Sequence, residues 1–259
     1  MFNFSLSRSY GSSKTGRRTR TGRSKTIKTK KTTRKLNDLA IKSLPKELLV
    51  DVLARVASSS FTDLFNAKLC CRDFLGAADE DYILEHVSIN RFPVIPWFTR
   101  DEVVAFLNRC KDNGNPEALY RQGLVEYFSY RRMESGLEYL KRAADKGHIE
   151  ASYVYGIILL CTGGESTQQG LKLLNAVKSS KSNSLRIQEC RVRTKAIIRT
   201  MWINNYLVRQ TNTCCHEQPC IRMERTWDCN EDNDVLLCDA CRWDQEVIAF
   251  CKMLRGIAA

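Results

Sequence analysis

The residues with the clearest capacity for chemistry are cysteines near the C-terminal end. Six fall between positions 213 and 241, at Cys214, Cys215, Cys220, Cys229, Cys238 and Cys241, with His216 among them. Cys238 and Cys241 are separated by two residues, and Cys215 and Cys220 by four. A short pair joined to a second pair some way off supplies the four soft ligands of a tetrahedral structural zinc site. In so small a segment the metal contributes folding energy directly. Cys215, Cys220, Cys238 and Cys241 are the expected ligands. The pair Cys238/Cys241 is the anchor, and Cys214, His216 and Cys229 are alternates for the other positions. The remaining cysteines, Cys70, Cys71, Cys110, Cys161, Cys190 and Cys251, sit at apolar positions of helical patterns and read as buried thiols.

Nothing in the sequence points to an enzyme. It has no phosphate-cradling glycine-rich loop, no His-Glu-x-x-His and no Gly-x-Ser-x-Gly. Three histidines, His86, His148 and His216, leave little material for acid–base work. The expectation is a non-catalytic protein whose one cofactor is structural zinc.

Charge is distributed unevenly. Residues 1–42 carry 13 Lys and Arg against one acid, Asp38, which accounts for the whole formal charge of +12; the rest of the chain has 28 of each sign. Within it, Ser12 to Lys35 is built from Ser, Thr, Gly, Lys and Arg, with Ile27 its only large apolar residue, and lacks the apolar surface to offset ordering entropy, so disorder is expected there. Its basic clusters at residues 14–18 and 28–31 fit either nuclear import or a solvated tail. No apolar run suits a signal peptide or a membrane span. The expected location is the nucleus, the cytoplasm or both, where reduced thiols suit metal binding better than disulfides.

The elements that must position the cysteines are helical. Ser43 and Pro45 suit a helix start, and Leu48, Leu49, Val52, Leu53 and Val56 recur at helical spacing. Residues 58–60 break that pattern. A second helix follows, capped by Thr62 or Asp63, with Leu64, Ala67, Leu69, Cys70 and Phe74 on its buried side; residues 78–86 form a third.

These residues resemble the F-box. The segments Leu44-Pro45-x-Glu47-Leu48-Leu49, Val52-Leu53, Val56, Asp63-Leu64 and Leu69-Cys70-Cys71-Arg72-Asp73-Phe74 follow that family's blocks in order, with Cys70 for the usual Val and Phe74 for the common Trp. The resemblance implies a three-helix module over residues 43–90 that binds a Skp-type adaptor and, through it, a cullin–RING ubiquitin ligase. It implies adaptor contacts at Leu44, Pro45, Leu48, Leu49, Leu53, Leu64, Cys71 and Phe74.

A connector follows over residues 91–112. Phe92-Pro-Val-Ile-Pro-Trp97 is stiffened by two prolines, with Trp97 and Phe98 as packing residues. A helix from 99 to 110 starts at a Thr99/Glu102 capping box.

Residues 113–209 carry an internal repeat. Ala118 and Gly123 recur as Ala151 and Gly156, an offset of 33. Gly136-Leu137-x2-Leu140 recurs as Gly170-Leu171-x2-Leu174, an offset of 34. Such a period marks helix–turn–helix repeats. The stretch from Tyr139 to Ala151, with Ala143-Ala144-x-x-Gly147, resembles the Sel-like branch of the tetratricopeptide superfamily. A capping helix at 185–201 is expected to bury Leu185, Ile187, Cys190, Ile197, Ile198 and Met201. The array reads equally as a protein-binding concavity or as a rigid spacer.

Residues 210–259 hold the cysteine-rich module and a closing helix that packs Trp243, Val247, Phe250 and Leu254. The whole resembles plant F-box proteins that end in cysteine-rich modules, some of the zinc-binding MYND kind. One Cys-x2-Cys pair and no late histidine depart from MYND, so partners specific to MYND do not carry over.

The expected fold is mainly α. The expected function is a substrate-recognition subunit that links the adaptor to a protein substrate. The alternative is a nucleic-acid-associated protein using the tail, the zinc module and the basic helix with Arg186, Arg191, Arg193, Lys195 and Arg199. Neutrality of the chain after residue 42 weighs against that alternative.

Overall fold

A computed structural model describes residues 44–95, 99–178, 183–208 and 239–257. The expectations for the tail, for Ser43, Trp97 and Phe98, and for every cysteine from Cys214 to Cys238 fall outside the described residues. The chain divides at Leu44/Pro45, and everything below except Leu44 belongs to the second unit, Pro45–Ala259. As expected, the architecture is mainly α, with no strand among the described residues.

The first module has four short helices where three were expected. Helix α1 is Lys46–Ser59, with Pro45 as N-cap residue and no side-chain cap. It runs through Ser58 and Ser59, whose hydroxyls donate back to the Arg55 carbonyl at 2.9 and 3.1 Å. The break comes at Ser60, which also caps α2, Phe61–Lys68, by accepting the Asp63 N–H at 3.2 Å. Ser60 therefore does the capping expected of Thr62 or Asp63. Because α2 stops at Lys68, Leu69 and Cys70 leave the helical period and are exposed rather than buried. Helices α3, Arg72–Ala77, and α4, Asp81–His86, complete the module. Around them Leu49, Leu53, Ala57, Leu64, Ala77, Ile83 and Leu84 form a buried core.

The connector is packed in place. Rings of Phe61, Phe92 and Phe106 lie 4.9–5.4 Å apart and join α2, the connector and α5, Asp101–Asp112. Helix α5 starts after Arg100 with no side-chain cap, so the expected Thr99/Glu102 box does not form.

Two helical hairpins follow. Helix α6, Pro116–Leu124, runs into a π-helical turn, Val125–Ser129, and pairs with α7, Met133–Asp145. Helix α8, Ile149–Thr162, pairs with α9, Ser166–Lys178. The repeated glycines explain the spacing of the sequence repeat. A Cβ on Gly123 would stand 2.8 Å from Leu140, and one on Gly156 would stand 2.7 Å from Leu174. In each hairpin a leucine of the second helix fills the space that a glycine of the first leaves open, so the helices approach closely. Between repeats, Gly114 and Gly147 adopt positive φ (78° and 82°) and end α5 and α7. The bonds Asn115 N–H to Cys110 O and His148 N–H to Ala143 O, at 2.9 and 3.0 Å, close both helix ends in the same way.

Helix α10, Asn183–Ile198, stops three residues earlier than expected; Cys190, Ile197, Ile198 and Met201 are buried and Ile187 is partly so. Helix α11, Asp239–Ile257, buries Trp243, Val247, Phe250 and Leu254 against the repeats, as expected. Its Trp243 indole donates to Asn175 on α9 at 2.8 Å, and its Glu246 accepts from Arg191 on α10 and from the Tyr153 hydroxyl on α8. Phe250 meets Tyr153 and Phe128, with ring centroids 6.4 and 6.3 Å away. A single helix thus ties both hairpins to the capping helix.

Ala is favoured over Gly inside a helix by about 1 kcal/mol, so Gly76→Ala, where nothing lies within 4 Å, is expected to be neutral or mildly stabilising. Gly156→Ala is expected to lose about 1–3 kcal/mol in urea unfolding through overpacking against Leu174. Equal effects at the two sites would show that the close approach does not govern the repeat.

Candidate protein-docking face

Helix α1 divides into two faces of opposite fate. Leu49, Leu53, Ala54 and Ala57 point into the module core. Leu48 and Val52, one helical turn apart, are each 52% exposed. Positions i and i+4 are neighbours on a helix surface, so these two make a continuous apolar strip facing outward. Of the expected adaptor contacts, Leu48 and Pro45 are exposed, and Leu44, the last residue of the preceding unit, is also exposed. Cys71 and Phe74 are half-buried; the Cys71 sulfur accepts the Phe74 N–H at 3.4 Å at the start of α3. Leu49, Leu53 and Leu64 are at most 6% exposed, which removes them as surface contacts. They hold the helices that carry the strip. The expected contacts leave out exposed Val52, which the sequence places only on the apolar face, and exposed Leu75 and Tyr82; Leu69, expected in the core, is 72% exposed.

The back of the module is joined to the repeats by polar groups. The Asn115 side chain is buried and caps α6 by accepting the Ala118 N–H at 3.1 Å. Its amide donates to the Leu84 and Val87 carbonyls at the end of α4, at 3.1 and 2.9 Å. Ser88 N–H donates to Ala57 O on α1 at 2.8 Å, Arg121 donates to Phe92 O at 3.1 Å, and Lys146 pairs with Glu85.

Beside this joint lies a buried charge network. Glu117 accepts from Arg121 at 2.6 Å and lies 2.9 Å from His148 Nε2. The Ala151 N–H donates to His148 Nδ1 at 3.2 Å, which leaves the ring proton on Nε2 to meet Glu117. Glu150, 3.5 Å from the same ring, pairs with Arg193 on α10. Burial works against the Glu117 carboxylate, but His148 and Arg121 outweigh it and hold its pKa below the usual Glu value. These residues occupy equivalent positions of the repeat: Gly114, Asn115, Glu117 and Tyr120 match Gly147, His148, Glu150 and Tyr153, all at the offset of 33. Extending the Ala/Gly match by a few residues would have revealed them.

A cleft of about 410 Å³ opens at the joint between residues 85–90 and Asn115, Glu117, Lys146, His148 and Arg193. The polar groups of its wall are internally matched: Lys146 with Glu85, His148 with Glu117 and Arg193 with Glu150. It therefore reads as a seam of the joint rather than an anion site.

Of the expected zinc ligands only Cys241 lies among the described residues, buried in the first turn of α11. Among the described residues no three His, Cys, Asp or Glu side chains gather to hold a metal. Cys110, Cys161, Cys190 and Cys251 are core thiols, whereas Cys70 is exposed and Cys71 half-buried. Burial pushes the Cys110 and Cys190 thiols up to about 12, so neither is a thiolate at neutral pH. In the basic helix, Arg191 and Arg193 turn to Glu246 and Glu150, which removes two cations from the nucleic-acid alternative. No helix among the described residues is long and apolar enough to cross a membrane.

Comparison with known proteins bears on the whole arrangement. Residues 89–199 match a family described as plant tetratrico peptide repeats. The provisionally named F-box protein At1g67623 of Arabidopsis thaliana is 35% identical over 185 residues, covering 70% of this chain and 62% of that protein. The chain is similar to plant F-box proteins. Two more from the same organism agree. F-box protein At2g35280 is 27% identical over 55% of this chain and 85% of its own length; F-box protein At1g67340 is 26% identical over 50% of this chain and 35% of its own. No solved structure matches the chain.

A carboxylate whose folded pKa is depressed contributes stability that is present above its unfolded pKa and lost as pH falls through the folded one. Glu117→Gln is therefore expected to lower the melting temperature at neutral pH. The gap to the native protein should shrink as both are acidified below the ordinary carboxylate range. A gap that stays constant with pH would show that the Glu117 charge is not what the network uses.

Proposed function

We propose that this chain is the substrate-recognition subunit of a Skp-cullin-F-box ubiquitin ligase. Helix α1 docks the Skp-type adaptor, the repeats and C-terminal region present a protein substrate, and the chain performs no chemistry of its own. The observation that carries this reading is the strip of Leu48 and Val52. It is an apolar surface left exposed on a helix whose adjoining apolar side, Leu49, Leu53, Ala54 and Ala57, is packed, as expected of a helix that lies in a partner's groove. The names of the similar Arabidopsis proteins support it. The joint through Asn115 gives it mechanical sense, because a substrate held by the repeats keeps one orientation relative to the docked adaptor. The nucleus, the cytoplasm or both is the compartment in which such a subunit works.

The double variant Leu48→Asp, Val52→Asp is expected to lose co-purification with the adaptor by at least tenfold, a loss of about 1.4 kcal/mol or more. Its melting temperature should be unchanged, since neither side chain is buried. Full adaptor recovery with the folded variant would overturn the docking assignment.

Zinc held by Cys215, Cys220, Cys238 and Cys241 belongs to the same proposal. The chemistry of the donor set supports it, four thiolates being suited to tetrahedral zinc. Elemental analysis of the native chain is expected to give one zinc per chain, and Cys241→Ser to lower that figure. Native protein with no zinc would remove the metal from the reading.

A further inference from the structure

After α10 the chain turns back along the first hairpin. Residues 201–208 have no regular secondary structure, and burial alternates along them: Ile203 and Leu207 point inward, while Trp202 and Tyr206 point outward. The segment is pinned by four hydrogen bonds to the end of the π-helical turn. The backbone N–H groups of Asn204 and Asn205 donate to Phe128 O at 2.8 and 3.0 Å. Their side-chain amides donate to Ser129 O at 2.7 Å and Tyr127 O at 3.1 Å. These bonds satisfy carbonyls that a helix end leaves open. They also bring Trp202 and Tyr206 close to the turn that leads into α7.

That turn is unusual. Arg131 has φ +58°, the one positive value at a non-glycine residue among the described residues, a conformation that costs energy for an arginine and recurs at ligand-binding positions. Tyr130, Arg131 and Met133 around it are all exposed, and Trp202 is 71% exposed. Arg199, three residues before Trp202, is exposed too. Among the described residues neither Arg131 nor Arg199 is held in an ion pair, in contrast to Arg191 and Arg193 on α10.

Trp, Tyr, Met and Arg are the side chains that protein interfaces concentrate at their centres. An unpaired guanidinium beside exposed rings makes such a surface selective for negative charge. We propose that Tyr130, Arg131, Met133, Arg199, Trp202 and Tyr206 form the surface that takes the substrate, as an acidic peptide segment with apolar side chains between its carboxylates. The proposal rests on reading the chain as a substrate-recognition subunit. A protein segment fits better than nucleic acid: exposed apolar Met133 follows Arg131 and Arg132 in the chain, and Arg132 is drawn to Glu126 at 3.4 Å while lying over the Tyr130 ring at 5.6 Å.

The test uses the full chain as bait for a random peptide library displayed on phage, with Trp202→Ala, Arg199→Glu as the comparison variant. Enriched peptides are expected to be rich in Asp and Glu with interspersed apolar residues. They should bind the variant at least tenfold more weakly. Arg199 is exposed, so its substitution should leave the melting temperature unchanged; if the double variant melts early, Arg199→Glu alone serves. Four results would each overturn the proposal: no enrichment, peptides without acidic bias, equal binding to the variant, or tight binding of a single-stranded RNA oligonucleotide that the variant abolishes. Adaptor co-purification is scored separately. An adaptor that fails to bind the native chain defeats the subunit reading, whereas an intact adaptor complex without peptide selection defeats the surface.

Discussion

One amide side chain holds the two halves of the second unit in register. Asn115 is 2% exposed and uses its oxygen and both amide hydrogens within the protein. It starts α6 and at the same time satisfies two carbonyls at the end of α4. Buried polar groups left without a partner cost about 1–3 kcal/mol each, so the geometry tolerates little drift. The position of α1 relative to the repeats follows from this contact, with the Phe61/Phe92/Phe106 rings as a second, apolar fastening. The exposed Leu48/Val52 strip and the repeats are in consequence parts of one body rather than beads on a flexible linker.

The repeats are stabilised by two different means. Within each hairpin, Gly123 against Leu140 and Gly156 against Leu174 bring the helices close, so dispersion and burial carry the contact. Between hairpins and on to α10, polar and charged groups pair within the shared apolar core: Glu117, His148, Glu150 and Arg193 at one level, Tyr153, Glu246 and Arg191 at another. Buried ion pairs add little net stability because desolvation offsets much of the attraction. Their effect here is on registration, since each carboxylate finds its partner at only one relative placement of the helices. Helix α11 then lies across α8, α9 and α10, so part of the surface that a short array would offer a partner is already occupied by the chain itself.

Much of this was legible beforehand. The helical period around Leu49 and Leu53, the glycine–leucine repeat and the apolar face of α11 are local patterns, and each predicted its element. Where the reading erred, the cause was where helices begin and end. Leu69 and Cys70 fit the apolar period of α2 but lie past its last turn. Thr99 and Glu102 have the spacing of a capping box, yet the helix begins after Arg100. Cys110 and Cys190 read as core and are; Cys70 and Cys71 also read as core and are not.

By itself the sequence determined that the chain is helical, that its net positive charge sits before residue 43, and that two repeats are stacked at an offset of 33. Those properties are written in spacing and composition. Which face of α1 stays open was decided only in three dimensions. Leu48, Leu49, Val52 and Leu53 share one broad apolar stripe, and packing from α2, α3 and α4 covers half of it. The same holds for the cations of α10, which look alike in sequence. Arg191 and Arg193 meet carboxylates 55 and 43 residues away and are neutralised, while Arg199 meets none among the described residues. Period fixes which side chains share a side of a helix; only partners distant in the chain determine which side faces water.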